Sequence, residues 1–152
     1  MAGYSNTPLV KKLGIKEGFH VGFVNPPKGF QKELGPLPDD VKISVDRLSK
    51  PIDLIVLFAD SEQILKTQFS KLALKLTVNG ILWVAWPKKS SGVPTDLAFA
   101  NVQQVGLRAG LVDVKICAVN EIWSGLKFVY RLKDRKSPKE ALHKFSVLNG
   151  EP

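Results

Sequence analysis

The chain has 152 residues, 44% hydrophobic and 24% charged, which is the size and balance of one ordinary soluble domain with room for a sizeable core. It carries 22 lysines and arginines against 14 acids, a formal charge of +8, which speeds encounter with anions of every kind and singles out none. One cysteine, Cys117, excludes a disulfide framework and a thiolate metal cluster, and no apolar run nears the roughly 20 residues that span a bilayer.

The opening "MAGYSNTPLVKKLG" has neither the basic start nor the apolar stretch of a signal peptide. The expected location is cytoplasmic, without membrane contact. "TPLVKKLGI" predicts a short helix with Thr7 as cap, Pro8 in the first turn and Gly14 as its end. "HVGFVNPP" predicts a strand stopped by Pro26 and Pro27, which cannot donate to a ladder. "GFQKEL" is one or two helical turns closed by Gly35 and Pro36, and the alternating "VKISVD" is a half-exposed strand at a sheet edge. "IDLIVLFA" is continuously apolar, the pattern of a strand buried on both faces of a parallel sheet.

Asp60–Ser61 then caps a helix whose Ile64, Leu65, Phe69, Leu72 and Leu76 fall at helical spacing. Asn79–Gly80 breaks the chain before "ILWVAW", a second doubly buried strand. After the basic loop Pro87–Thr95, Thr95 or Asp96 caps a helix that carries Leu97, Val102, Val105 and Leu107 and ends at Ala109–Gly110. "LVDVKICAV" and "LKFVYRL" lie so close in sequence that they predict an antiparallel pair. "SPKE" is a capping box for a short helix in a basic tail. The reading is a single α/β domain over residues 1–135, a three-layer sandwich with a mostly parallel sheet, followed by a tail over 136–152.

This order resembles the class I S-adenosylmethionine-dependent methyltransferases, with one strand–helix unit missing after "VKISVD". "KKLGIKEGFHVGFVN" resembles their lead-in helix and first strand, "PIDLIVLFAD" their fourth strand, and "LALKLTVNGILWVAWP" the approach to their fifth. "AGLVDVKICAVNEIWSGLKFVYRL" resembles the antiparallel pair that closes that fold. The "G-ILWVAWPKKSSGVPTDL…GLVDVK…WSGL" signature also resembles small bacterial domains of unknown function, which imply no activity. The methyltransferase resemblance implies S-adenosylmethionine as cofactor, held by a glycine-rich turn after the first strand and an acid at the end of the second. The acid matches Asp46. The turn is Asn25–Pro26–Pro27–Lys28–Gly29, with one glycine and with two prolines that lack N–H donors. No cofactor is therefore expected as a matter of course, and standard S-adenosylmethionine binding is disfavoured. "NPPK" is similar to the N/D-P-P-aromatic motif of amino-methyltransferases. It follows the first strand instead of the fourth and has Lys28 in place of the aromatic, so it reads as a stiff strand-to-helix turn.

No nucleophile elbow, P-loop or dinucleotide fingerprint is present. His20 sits at the amino end of its strand, His143 in the tail, and neither has the Asp, Glu or Cys company of a metal ligand. Cys117 reads as a buried, inert small hydrophobe. In open α/β sheets ligands lie beyond the carboxyl ends of the strands. The loops expected there supply Asn25 and Lys28, Asp60 and Ser61, and then Trp86, Lys88, Lys89, Ser90, Ser91, Gly92 and Thr95, with Ser124 alongside. The expected function is a non-catalytic or cryptic module recognising a small anion or a protein partner at that edge. The alternatives are an atypical methyltransferase and nucleic-acid association through the tail.

Overall fold

The computed structural model describes residues 7–135. The capping box at Ser137–Glu140 and the rest of the tail lie outside the described residues.

Helix α1 (Leu9–Leu13) leads into β1 (His20–Val24), α2 (Phe30–Leu34), β2 (Lys42–Val45) and β3 (Ile52–Phe58). The chain continues through α3 (Glu62–Ala73), β4 (Leu76–Pro87), α4 (Phe99–Arg108), β5 (Leu111–Ala118) and β6 (Trp123–Tyr130). One six-stranded sheet has the order β2-β1-β3-β4-β6-β5. The first four strands in this order are parallel, β6 runs antiparallel to β4, and β5 antiparallel to β6. "ILWVAW" is thus central, between β3 and the reversed β6, as its two-sided apolar pattern requires.

The layers follow from alternation. Leu65, Phe69 and Leu72 of α3 and Val102 of α4 pack with Ile55, Leu57, Leu82 and Trp86 on one face. Val10 and Leu13 of α1 and Phe30 and Leu34 of α2 pack with Phe23, Val56 and Trp83 on the other. Trp83 and Trp86, three residues apart, point to opposite faces. The Trp83 indole Nε1–H donates to the Leu13 carbonyl (2.8 Å), which pins α1 to the sheet. Phe30 wedges edge-on between Phe23 and Phe58, with ring centroids 5.1 and 4.8 Å away. On the other face α4 approaches β6 so closely that a Cβ on Gly106 would overlap the Phe128 ring.

Three local expectations are corrected. Pro8, not Thr7, occupies the cap position of α1, which has no side-chain cap. Asn79–Gly80 does not end a segment: β4 runs unbroken from Leu76, and the irregularity appears as a register shift against Ile52–Leu54. A Cβ at Gly80 would sit 2.9 Å from both Leu76 Cβ and the Thr77 carbonyl, so the kink needs glycine. Helix α4 begins at Phe99 rather than at Thr95–Asp96, because those two side chains are used elsewhere.

Candidate functional site

The sheet direction reverses its connections beside β1, whose neighbours are β2 and β3, so the turn after β1 is the switch point where a ligand is expected. Asn25 and Asp46 follow β1 and β2 and both hold positive φ, 56° and 62°, a conformation uncommon outside glycine. They are joined: the Asn25 N–H donates to Asp46 Oδ1 at 2.7 Å. The Asp46 N–H in turn donates to the Phe23 carbonyl (2.8 Å), so the two strand ends are tied in both directions. Beside them opens a crevice of about 420 Å³, lined by Pro26, Pro27, Lys28, Gly29, Gln31 and Lys32 of the turn and α2 and by Val45 of β2. Phe30 is buried beneath it, so it forms floor rather than filling. The Phe30 N–H goes to the Pro27 carbonyl (3.1 Å), and the described residues leave those of Lys28 and Gly29 without an acceptor.

The loops after β3 and β4 form a second group, joined to one another by hydrogen bonds. Thr95 Oγ1 donates to the Asp60 carbonyl (2.7 Å) and accepts from the Leu97 N–H (3.1 Å). Asp96 Oδ1 accepts the Glu62 N–H at 2.8 Å, and Ser61 Oγ accepts that of Ile64 at 3.2 Å, so the start of α3 is capped twice. Asn101 completes the latch, its Oδ1 accepting from the Ala98 N–H (2.7 Å) and its Nδ2–H donating to the Asp96 carbonyl (2.8 Å). In the basic loop the Ser91 hydroxyl donates to the Lys88 carbonyl (2.6 Å) and accepts from the Val93 N–H (3.2 Å). Lys89 and Ser90 are exposed, Trp86 is buried among α3 and α4 contacts, and Ser124 pairs with Trp86 across β4–β6. Gly92 has φ +77° and open space where a Cβ would stand, so its requirement is backbone conformation and not close approach.

Lys28 therefore lines the crevice and Asn25 precedes its lining in sequence, while Asp60, Ser61 and Thr95 share a latch in which the Asp60 carbonyl and the Ser61 and Thr95 hydroxyls already have partners. Gln31, Lys32 and Val45 were not foreseen at the crevice. Val45 is brought there by the parallel pairing of β2 with β1, a non-local event.

His20 lies at the opposite edge. Its Nδ1 faces the Pro51 carbonyl (3.1 Å), which only accepts, so Nδ1 donates there, and Nε2 lies 2.8 Å from the Ser44 hydroxyl. Among the described residues no three of His, Cys, Asp and Glu gather as metal ligands, and no helix is long and apolar enough to cross a membrane. Cys117 is half-buried rather than buried, because β5 is the edge strand and the neighbouring Ile116 is 54% exposed. Burial pushes its thiol pKa up, opposed by the charges of Lys12, Lys115 and Lys88.

Solved structures share this fold. A methyltransferase from Aquifex aeolicus matches with a TM-score of 0.56 at 15% identity, over 79% of this chain and 86% of its own. The fold is that of the class I methyltransferases. A TehB-like S-adenosylmethionine-dependent methyltransferase from Corynebacterium glutamicum matches with a TM-score of 0.54 at 12% identity, over 81% of this chain and 85% of its own. A fibrillarin from Aeropyrum pernix, with natively bound S-adenosyl-L-methionine, matches at 0.54 and 11%, over 84% and 70%. No protein-family model matches the chain, and no curated protein matches it.

Proposed function

We propose that this chain is an atypical S-adenosylmethionine-dependent methyltransferase that holds its cofactor at the switch-point crevice. The observation that carries the reading is the Asn25–Asp46 hydrogen bond (2.7 Å) beside that crevice. It fixes a carboxylate at the end of β2, where the methyltransferase resemblance calls for an acceptor of ribose hydroxyls. The fit is partial. Asp46 and the open space at Gly29 suit the group, while Pro26 and Pro27 withdraw two N–H donors from the turn. Lys28, exposed on the crevice wall, replaces them with a flexible point charge for the methionine carboxylate. A bound S-adenosylmethionine supplies an electrophilic methyl group. The chain's own part is to orient the ligand through Asp46, Lys28 and the Lys28 and Gly29 N–H groups.

One clamp lost and one flexible cation gained predict weak but saturable binding, with a dissociation constant above about 10 μM, or roughly −7 kcal/mol. Calorimetry against S-adenosylmethionine, its demethylated product and adenosine tests this. Saturable binding of the first two, competed by adenosine, supports the reading, and no saturation at about 1 mM (near −4 kcal/mol) ends it.

A second reading is non-catalytic recognition of a small anion at the same crevice, favoured by Lys28 and Lys32 on its walls. Binding of inorganic phosphate or nucleotides in preference to S-adenosylmethionine distinguishes it.

A further inference from the structure

Helix α2, which walls the crevice with Gln31 and Lys32, is too short to hold its own position. It has five residues, a glycine at each end and no side-chain cap, and a helix of that length is marginal without tertiary support. Phe30 and Leu34 anchor its buried side. The exposed Glu33 supplies the polar anchor: its Oε1 accepts from Asn120 Nδ2–H at 2.7 Å, across 87 residues of sequence. Among the described residues no other hydrogen bond joins α2 to another element.

Asn120 opens the turn between β5 and β6. Its Oδ1 accepts from the Ile122 N–H (2.9 Å) and the Trp123 N–H (2.8 Å). Those two donors fix which way the amide faces and leave Nδ2 for Glu33. The turn is itself held, because Lys88 donates its N–H to the Ile122 carbonyl at 2.7 Å. Trp123 packs edge-on against Phe58 with centroids 5.2 Å apart, and Phe58 packs against Phe30, the crevice floor, at 4.8 Å. One turn therefore reaches the wall of the crevice through Glu33 and its floor through Trp123.

We propose that Asn120 is a positioning residue for the crevice: through Glu33 it sets where α2 stands, and so how closely the Gln31–Lys32 wall meets a bound S-adenosylmethionine. The inference rests on the methyltransferase reading, and Asn120 itself lies outside the crevice lining.

The test is a swap of donor and acceptor. Asn120→Asp keeps an oxygen for the Ile122 and Trp123 N–H groups but sets a carboxylate against that of Glu33. Adding Glu33→Gln restores the hydrogen bond in the opposite direction, together with the wild-type net charge. Glu33→Ala removes the acceptor without touching the turn and should act in the same direction as Asn120→Asp. Melting temperature is the folding check for each variant. Hydrogen exchange on the ligand-free proteins follows the Glu33 and Gly35 amides, which bond to the Gly29 and Lys32 carbonyls. Exchange there should be faster in both single variants and return to the wild-type rate in the swapped double variant. Calorimetry with S-adenosylmethionine should show affinity falling roughly threefold to tenfold in the single variants and recovering in the double variant. Unchanged exchange or unchanged affinity in the single variants overturns the inference, as does a weakening that the swap does not relieve. These failures leave the methyltransferase reading standing, whereas no binding by wild type ends that reading and this inference with it.

Discussion

Asn25 donates its backbone N–H to the Asp46 carboxylate at 2.7 Å across 21 residues of sequence, with both residues in left-handed backbone conformation. The bond links the ends of two neighbouring parallel strands, β1 and β2, beside the crevice. A carboxylate held this way is oriented before any ligand arrives, which lowers the ordering cost of binding.

The latch between the α3 and α4 loops predicts a stability effect with no effect at the crevice. Asp96→Ala removes the acceptor for the Glu62 N–H and a negative charge from the start of α3. The expected loss is about 1 kcal/mol in urea denaturation, largely recovered by Asp96→Asn. Unchanged stability in the alanine variant would show that the loop is not a cap.

Gly106 predicts an overpacking effect. Alanine there drives a methyl group into the Phe128 ring, itself packed edge-on against Phe69 with centroids 5.1 Å apart. A loss of about 1–3 kcal/mol is expected for Gly106→Ala by denaturation, despite alanine's better helix propensity.

These two sites mark where the sequence was legible and where it was not. The continuous apolar runs of β3 and β4 and the alternation of β2 announced a buried parallel centre and an exposed edge, and the sheet has both. Asp96 looked like a local helix cap, yet it caps a helix 34 residues earlier, a partnership that no local spacing encodes. Cys117 sat among apolar letters and read as core. The edge position of β5, set by the sheet order, exposes its neighbours Val114 and Ile116. At and beside the crevice, Lys28 and Asn25 are readable from the turn, and Asp46 from its place after "KISV". Val45 became a neighbour through strand pairing alone, while Gln31 and Lys32 line the crevice from the helix that follows the turn.

Cys117 predicts a pH dependence. Its thiol pKa is raised by burial, so the folded state holds the proton more tightly than the unfolded chain. Its contribution to stability is full below the ordinary thiol range and declines as pH rises through it. Maleimide labelling of the native protein should be slower than for a free thiol near pH 7.5, climb with pH, and be insensitive to urea below the unfolding transition. Labelling that tracks global unfolding would contradict the half-buried placement.

The central claim is that Asp46, held by Asn25, anchors S-adenosylmethionine at the switch-point crevice. The measurement that tests it most directly is calorimetric titration of wild type and Asp46→Ala with S-adenosylmethionine, with folding checked by circular dichroism. The expected result is saturable wild-type binding that weakens about tenfold or more in the variant, the equivalent of 1.4 kcal/mol or more for lost charge-assisted hydrogen bonds. Equal binding by the two proteins, or none by wild type, would contradict it.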